Sequence, residues 1–92
     1  MGDFLFNRSL TAIRTGSFTV PSIANGVTID FEVQFDKPFT EIPQYVGITP
    51  NAWLNNFWIT YYVPTINGFT VGIQNLNGAD RTNVPFNYIA VQ

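Results

Sequence analysis

An all-β fold, a six-stranded antiparallel β-sandwich, is what this sequence predicts, and three observations predict it. Apolar residues alternate strictly with polar ones in short stretches: Val27, Ile29, Phe31, Val33 and Phe35 are interleaved with Thr28, Asp30, Glu32 and Gln34. A strand flips successive side chains across the sheet, so one set meets a core and the other meets water. Turn chemistry at Asn25-Gly26, Asp36-Lys37-Pro38 and Asn67-Gly68 separates such stretches at the spacing of sandwiches and barrels. Residues that suit a pleated surface are abundant, with Phe, Trp and Tyr making up 16% of the chain. No helix of any length is needed.

Met1 to Ser9 fits neither period and is read as a lead-in, or the end of an upstream shaft, before one domain spanning residues 10–92. Leu10 to Pro21 reads as an extended segment interrupted at Gly16, with Phe18 and Val20 on one face. Asn25-Gly26 tolerates positive φ and suits a tight return. Val27 to Phe35 comes next and is the strand against which the others are expected to lie. Proline sets φ and cannot donate to a ladder, so Asp36-Lys37-Pro38 ends it. Phe39 and Ile42 are then placed to fold back onto the apolar face before Pro43. Gln44 to Pro50 is a third strand, and Asn51 to Asn56 is a loop.

Phe57 to Val63 is the most apolar run. Phe57, Ile59, Tyr61 and Val63 make one face; Trp58, Thr60 and Tyr62 make the other. Rings on both faces imply cover on both sides. One side belongs to the domain's own core, and Trp58, Thr60 and Tyr62 form the expected oligomer interface. Pro64 to Gly68 is a hairpin with Asn67-Gly68 at its tip. Phe69, Val71 and Ile73 alternate on the returning strand. Asn75 to Asn83 reads as a polar loop, and Val84 to Val91 as the last strand, with Pro85 at a tolerated early position.

Composition narrows the function. Only 11% of the 92 residues are charged, about half the usual share. Few charges and many rings are the composition of an interface core, and they favour a protomer that buries a second face against its own copies. The four cations, Arg8, Arg14, Lys37 and Arg81, are scattered and make no phosphate-tracking stripe, so no nucleic acid is expected as a partner. No apolar run is long enough to insert into a membrane, and Met1 to Leu10 is too short in apolar residues for a secretory signal. Histidine and cysteine are absent, which removes the usual general bases, thiol nucleophiles and most metal sites. Asp30 and Glu32 stand on the polar face of one strand, where solvation explains them better than acid–base chemistry. The chain is therefore expected to be no enzyme and to need no cofactor or metal.

Binding chemistry is better supplied. Asn51, Asn55, Asn56, Asn75, Asn77, Asn83 and Gln74 put paired donors and acceptors in loops, which is what sugar hydroxyls need. The same residues are also simply good turn formers. Trp53 offers a ring to the apolar face of a pyranose, and Asp80 and Arg81 offer charge-assisted bonds to hydroxyls. Trp53, Asn55, Asn77, Asp80 and Arg81 are the candidate contact set.

From about Val27 to the C-terminal Gln92 the sequence resembles the H-type lectin domain of snail agglutinins and discoidin-like proteins, and more loosely phage tail-fibre tips. The elements that carry the resemblance are Val33-Gln34-Phe35, Asp36-Lys37-Pro38-Phe39, Ile42-Pro43, Asn67-Gly68-Phe69 and Tyr88-Ile89-Ala90, in that order. The Thr15-Gly16-Ser17 opening before Phe18 is similar as well. The resemblance implies a sandwich that assembles as a homotrimer and binds sugar between protomers. It departs from the family pattern where Leu76-Asn77 replaces an aromatic-His pair, where Thr60 stands for a fourth-strand arginine, and where Tyr88 stands for a final-strand Trp. Without cysteines, the closer likeness is to a phage version. The expectation is a trimeric tip, part of a virion tail, that reads a host cell-surface glycan. The alternative is a structural trimerisation knob or virion decoration domain that binds no sugar.

Overall fold

The computed structural model describes residues 12–51 and 56–92. Six strands make it up: β1 (Ile13–Ile23), β2 (Thr28–Gln34), β3 (Tyr45–Pro50), β4 (Phe57–Pro64), β5 (Gly68–Asn75) and β6 (Arg81–Val91). They form two three-stranded sheets, β1-β6-β3 and β2-β5-β4, antiparallel throughout. The six-stranded antiparallel sandwich read from the sequence is the observed architecture. The lead-in from Met1 to Ser9 and the Trp53 loop lie outside the described residues.

The organising strand is a different one from that expected. β2 sits at a sheet edge and bonds only to β5, while β5 and β6 occupy the two centres. Alternation reports which face of a strand is buried and says nothing of how many neighbours the strand has. Burial along β2 is also graded. Val33 and Phe35 are buried, Phe31 and Ile29 half-buried, and Val27, expected in the core, is 46% exposed. Of the two residues expected to fold back after the turn, Phe39 does so and Ile42 does not; Pro43 is buried beside them instead.

Rings fill the space between the sheets. Phe18 stacks between Phe31 (centroids 5.6 Å apart) and Phe86 (5.2 Å) and meets Phe69 edge-on. Phe57 reaches Phe86 from one side, and Phe69, Tyr88, Phe35 and Phe39 continue the series on the other. Offset and edge-on pairs of this kind add about 0.5–1.5 kcal/mol each beyond the area they bury. The Arg14 guanidinium closes the series 4.7 Å above Phe39, and its Nε and Nη2 donate to the carbonyls of Lys37 and Pro38. Arg14 thereby fastens the turn that ends β2 to the first strand, combining cation–π and charge-assisted contacts.

The turns follow local chemistry. Asn25-Gly26 makes the expected tight return: Val27 N–H donates to Ala24 O, and Gly26 takes φ +76°, the type II arrangement. Between β4 and β5 the Thr65 hydroxyl accepts from the N–H groups of Asn67 and Gly68 and holds the hairpin. Gly68 is already the first residue of β5, so the tip lies one position earlier than the Asn-Gly pair implied.

Two strands depart from the period read in the sequence. In β4, Ile59 pairs with Ile73 and Tyr61 with Gly72, which leaves Thr60 as a bulge. Past the bulge the faces exchange. Tyr61 and Val63 join Trp58 on the outside, and Tyr62 shares the inward face of Val71. β6 begins at Arg81 rather than Val84, and the polar loop shortens to Leu76–Asp80. Asn83 accommodates the longer strand by adopting φ +50°, a region that Asn enters more readily than most residues.

Candidate functional site

At one end of the sandwich the loops are joined through Asn75, which lies in phase with Phe69, Val71 and Ile73 and is fully buried. Its Nδ2 donates to Ile23 O (2.8 Å) and Ala79 O (2.9 Å), and its Oδ1 accepts from the backbone N–H and Nδ2 of Asn77. Asn77 in turn accepts from Asn56 N–H at 2.7 Å and donates to Asn56 O at 3.0 Å. Asp80 Oδ1 accepts from Asn25 N–H at 2.8 Å. Burying an amide is tolerated only when all its hydrogen bonds are made. Asn75→Ala strands the Asn77 donors and the carbonyls it served, and a loss of about 2–4 kcal/mol is expected in chemical denaturation. An unchanged midpoint would mean the loops are held elsewhere.

These bonds change the picture of the predicted contact set. Trp53 and Asn55 lie outside the described residues. Asn77 and Asp80 fasten loops to one another, which is the structural role open to Asn and Asp in turns. Arg81 is not a loop residue but the first of β6, paired in register with Ile23.

A second group of residues comes together on the outer face of β2-β5-β4. Register sets Trp58, Gln74 and Thr28 in one row, Tyr61, Gly72 and Asp30 in the next, and Val63, Thr70 and Glu32 in a third. Trp58 is 58% exposed, and Tyr61 and Val63 are exposed beside it. Gly72 makes the middle row possible. A Cβ there would lie 2.4 Å from Tyr61 Cε1 and 2.5 Å from Thr60 Oγ1, so the Tyr61 ring occupies the space that a side chain would fill. Crossing β5, the Tyr61 hydroxyl donates to Asp30 Oδ1. That bond to Asp30, then desolvation, then the charge of Asp30 raise the phenol's pKa above the usual tyrosine value. The phenol therefore stays protonated and donating at neutral pH. Because the folded value is the higher one, its share of stability is complete below pH 10 and declines as pH rises through the folded pKa. Glu32 Oε1 accepts from Gln34 Nε2, and Gln74 Nε2 donates to Gly26 O. The Thr60 hydroxyl, beneath the ring, is buried with no hydrogen-bond partner.

Tyr61 and Gly72 are absent from the sequence-based set, Gln74 stands there only as one of the loop amides, although it lies within β5, and Asp30 and Glu32 stand there only as a solvated face. A glycine in phase with polar residues, facing a run of aromatics, was the available signal. Of the expected interface trio, Trp58 is on this outer face, Thr60 is the bulge, and Tyr62 pairs with Val71 on the other side of the strand, where it stays 38% exposed. The opposite outer face, on β1-β6-β3, differs in character. Ile13, Val91 and Tyr45 form one row and Thr15, Ile89 and Gly47 the next, and no charged side chain stands on it from Ile13 to Thr19, Tyr45 to Thr49 or Pro85 to Val91.

Among the described residues no group of three or more His, Cys, Asp or Glu side chains is placed to hold a metal ion. No protein-family model, curated protein or solved structure matches the chain.

Proposed function

We propose that this chain is a glycan-binding domain that works as a homotrimer and displays the β2-β5-β4 face to a host cell-surface glycan, as the tip of a phage tail fibre does. The observation that carries the reading is the exposed Trp58 beside a Tyr61 ring held across Gly72 to Asp30. Rings offered on a rigid sheet suit the apolar face of a pyranose, and the polar groups of Gln74, Thr70 and Asp30 in the adjoining rows suit its hydroxyls. Self-association is assigned to the uncharged β1-β6-β3 face, since charge depletion marks interface cores.

Binding to a panel of bacterial wall glycans tests this, together with molar mass by light scattering. Wild-type protein is expected to run as a trimer and to bind, and Trp58→Ala to weaken binding about tenfold, the equivalent of about 1.4 kcal/mol, with an unchanged melting temperature. Equal binding by Trp58→Ala would sink the assignment of this face.

A structural knob is the second reading, favoured by exposed rings on both outer faces: Tyr45 on one, Trp58 and Tyr61 on the other. It predicts a trimer in which Trp58 fluorescence resists acrylamide quenching and no glycan is retained.

A further inference from the structure

Resting on the glycan reading, we infer that the β2-β5-β4 face selects sugars bearing a free, protonated amine, hexosamine units above all, over neutral and anionic ones. Asp30 and Glu32 stand two residues apart on the same face of β2, roughly 7 Å from each other along the strand. Both carboxylates are oriented. Asp30 Oδ1 accepts from Tyr61, and Glu32 Oε1 accepts from Gln34. No cation shares their three rows. Arg14 is committed at the end of the sandwich to Phe39 and to the carbonyls of Lys37 and Pro38, and Arg81 opens β6 in the other sheet.

A ligand laid over Tyr61 and Trp58 therefore meets negative charge along the β2 side of the face. A protonated amine brings three donors to those carboxylates, and its charge is attracted by the ring faces as well. A uronic acid or sialic acid in the same place would set like charges together, which is selection by repulsion. An N-acetylated sugar keeps the stacking and forfeits the charge pairing.

Isothermal titration calorimetry on the full chain decides it, with glucosamine, N-acetylglucosamine and galacturonic acid tetramers as the probes. At about 50 mM salt the glucosamine tetramer is expected to bind about tenfold tighter than the acetylated one, with no detectable binding of the acid. The margin should narrow at about 300 mM salt, where screening shortens. Glu32→Gln keeps the side-chain shape and should bring the glucosamine and N-acetylglucosamine tetramers towards equal affinity while binding of the acetylated one holds. Equal affinities in the wild type, with Trp58→Ala abolishing both, would overturn amine selection and leave the glycan reading intact. Glucosamine binding that survives Trp58→Ala would be plain charge attraction and would overturn the inference too. No binding of any tetramer would remove the glycan reading together with the inference.

Discussion

Phe86→Ala is expected to destabilise the domain by about 3–5 kcal/mol, the range for removing a fully buried ring. Phe86 is fully buried, lies face to face with Phe18 at 5.2 Å, and receives the edge of Phe57 at 5.5 Å. Truncation leaves a hole bordered by two rings on opposing sheets, and neither can move in without giving up its other partners. A domain of this size holds about 5–15 kcal/mol in all, so the change removes about a fifth of it or more. Thermal unfolding, with about 4–8 °C per kcal/mol, should shift down by about 20 °C. Phe31→Ala is the internal control. That ring touches Phe18 from the half-buried side of β2, so its loss should be clearly the smaller. Because the proposed self-association would add concentration-dependent stability, both melts belong at several protein concentrations. Equal losses would mean that Phe18 does not separate a tight inner layer from a looser outer one.

The second large effect is expected at Gly68. A Cβ there would stand 1.9 Å from the carbonyl oxygen of Val33 and 3.0 Å from the Cα of Gln34. Both are backbone atoms of β2, so no rotamer relieves the overlap. Either β2 lifts away from β5 where Gln34 pairs with Gly68, or the hairpin reshapes around the Thr65 hydroxyl. The gain from stiffening the unfolded chain on changing Gly to Ala is at most about 1 kcal/mol. Overpacking against fixed backbone exceeds it, and we expect a net loss of about 3 kcal/mol in a urea titration. A Gly68→Ala protein as stable as wild type would show that β2 and β5 do not approach so closely.

The strands were legible because period-2 alternation survives along most of their length. Phe18 and Val20, Val33 and Phe35, and Phe69 to Ile73 are inward in the structure as in the sequence. What escaped is whatever depends on a second strand. The central place of β5 is a fact about its neighbours, and its glycines are where Val33 and Tyr61 come close. The faces of β4 were right as far as Ile59 and reversed after it, because one unpaired residue shifts the phase and no composition marks it. Asn75 was read as a loop residue although it continues the inward series Phe69, Val71, Ile73; its type outvoted its phase. Asn77 and Asp80 were found as polar loop residues, but their bonds run to Asn56 and Asn25, about twenty and fifty-five positions away, a pairing that spacing alone does not reveal.

The bulge at Thr60 has an evolutionary edge. Deleting that single codon would let β4 pair with β5 without interruption and would leave Tyr61 opposite Gly72, Tyr62 opposite Val71 and Val63 opposite Thr70, because the pairing on either side of Thr60 is already in phase. A three-nucleotide event would thus keep the ring shown beside Trp58, and its tether to Asp30, in register, with the other five strands untouched. Thr60 is therefore a place where the chain can gain or lose one residue without exchanging the side chains that the β2-β5-β4 face presents.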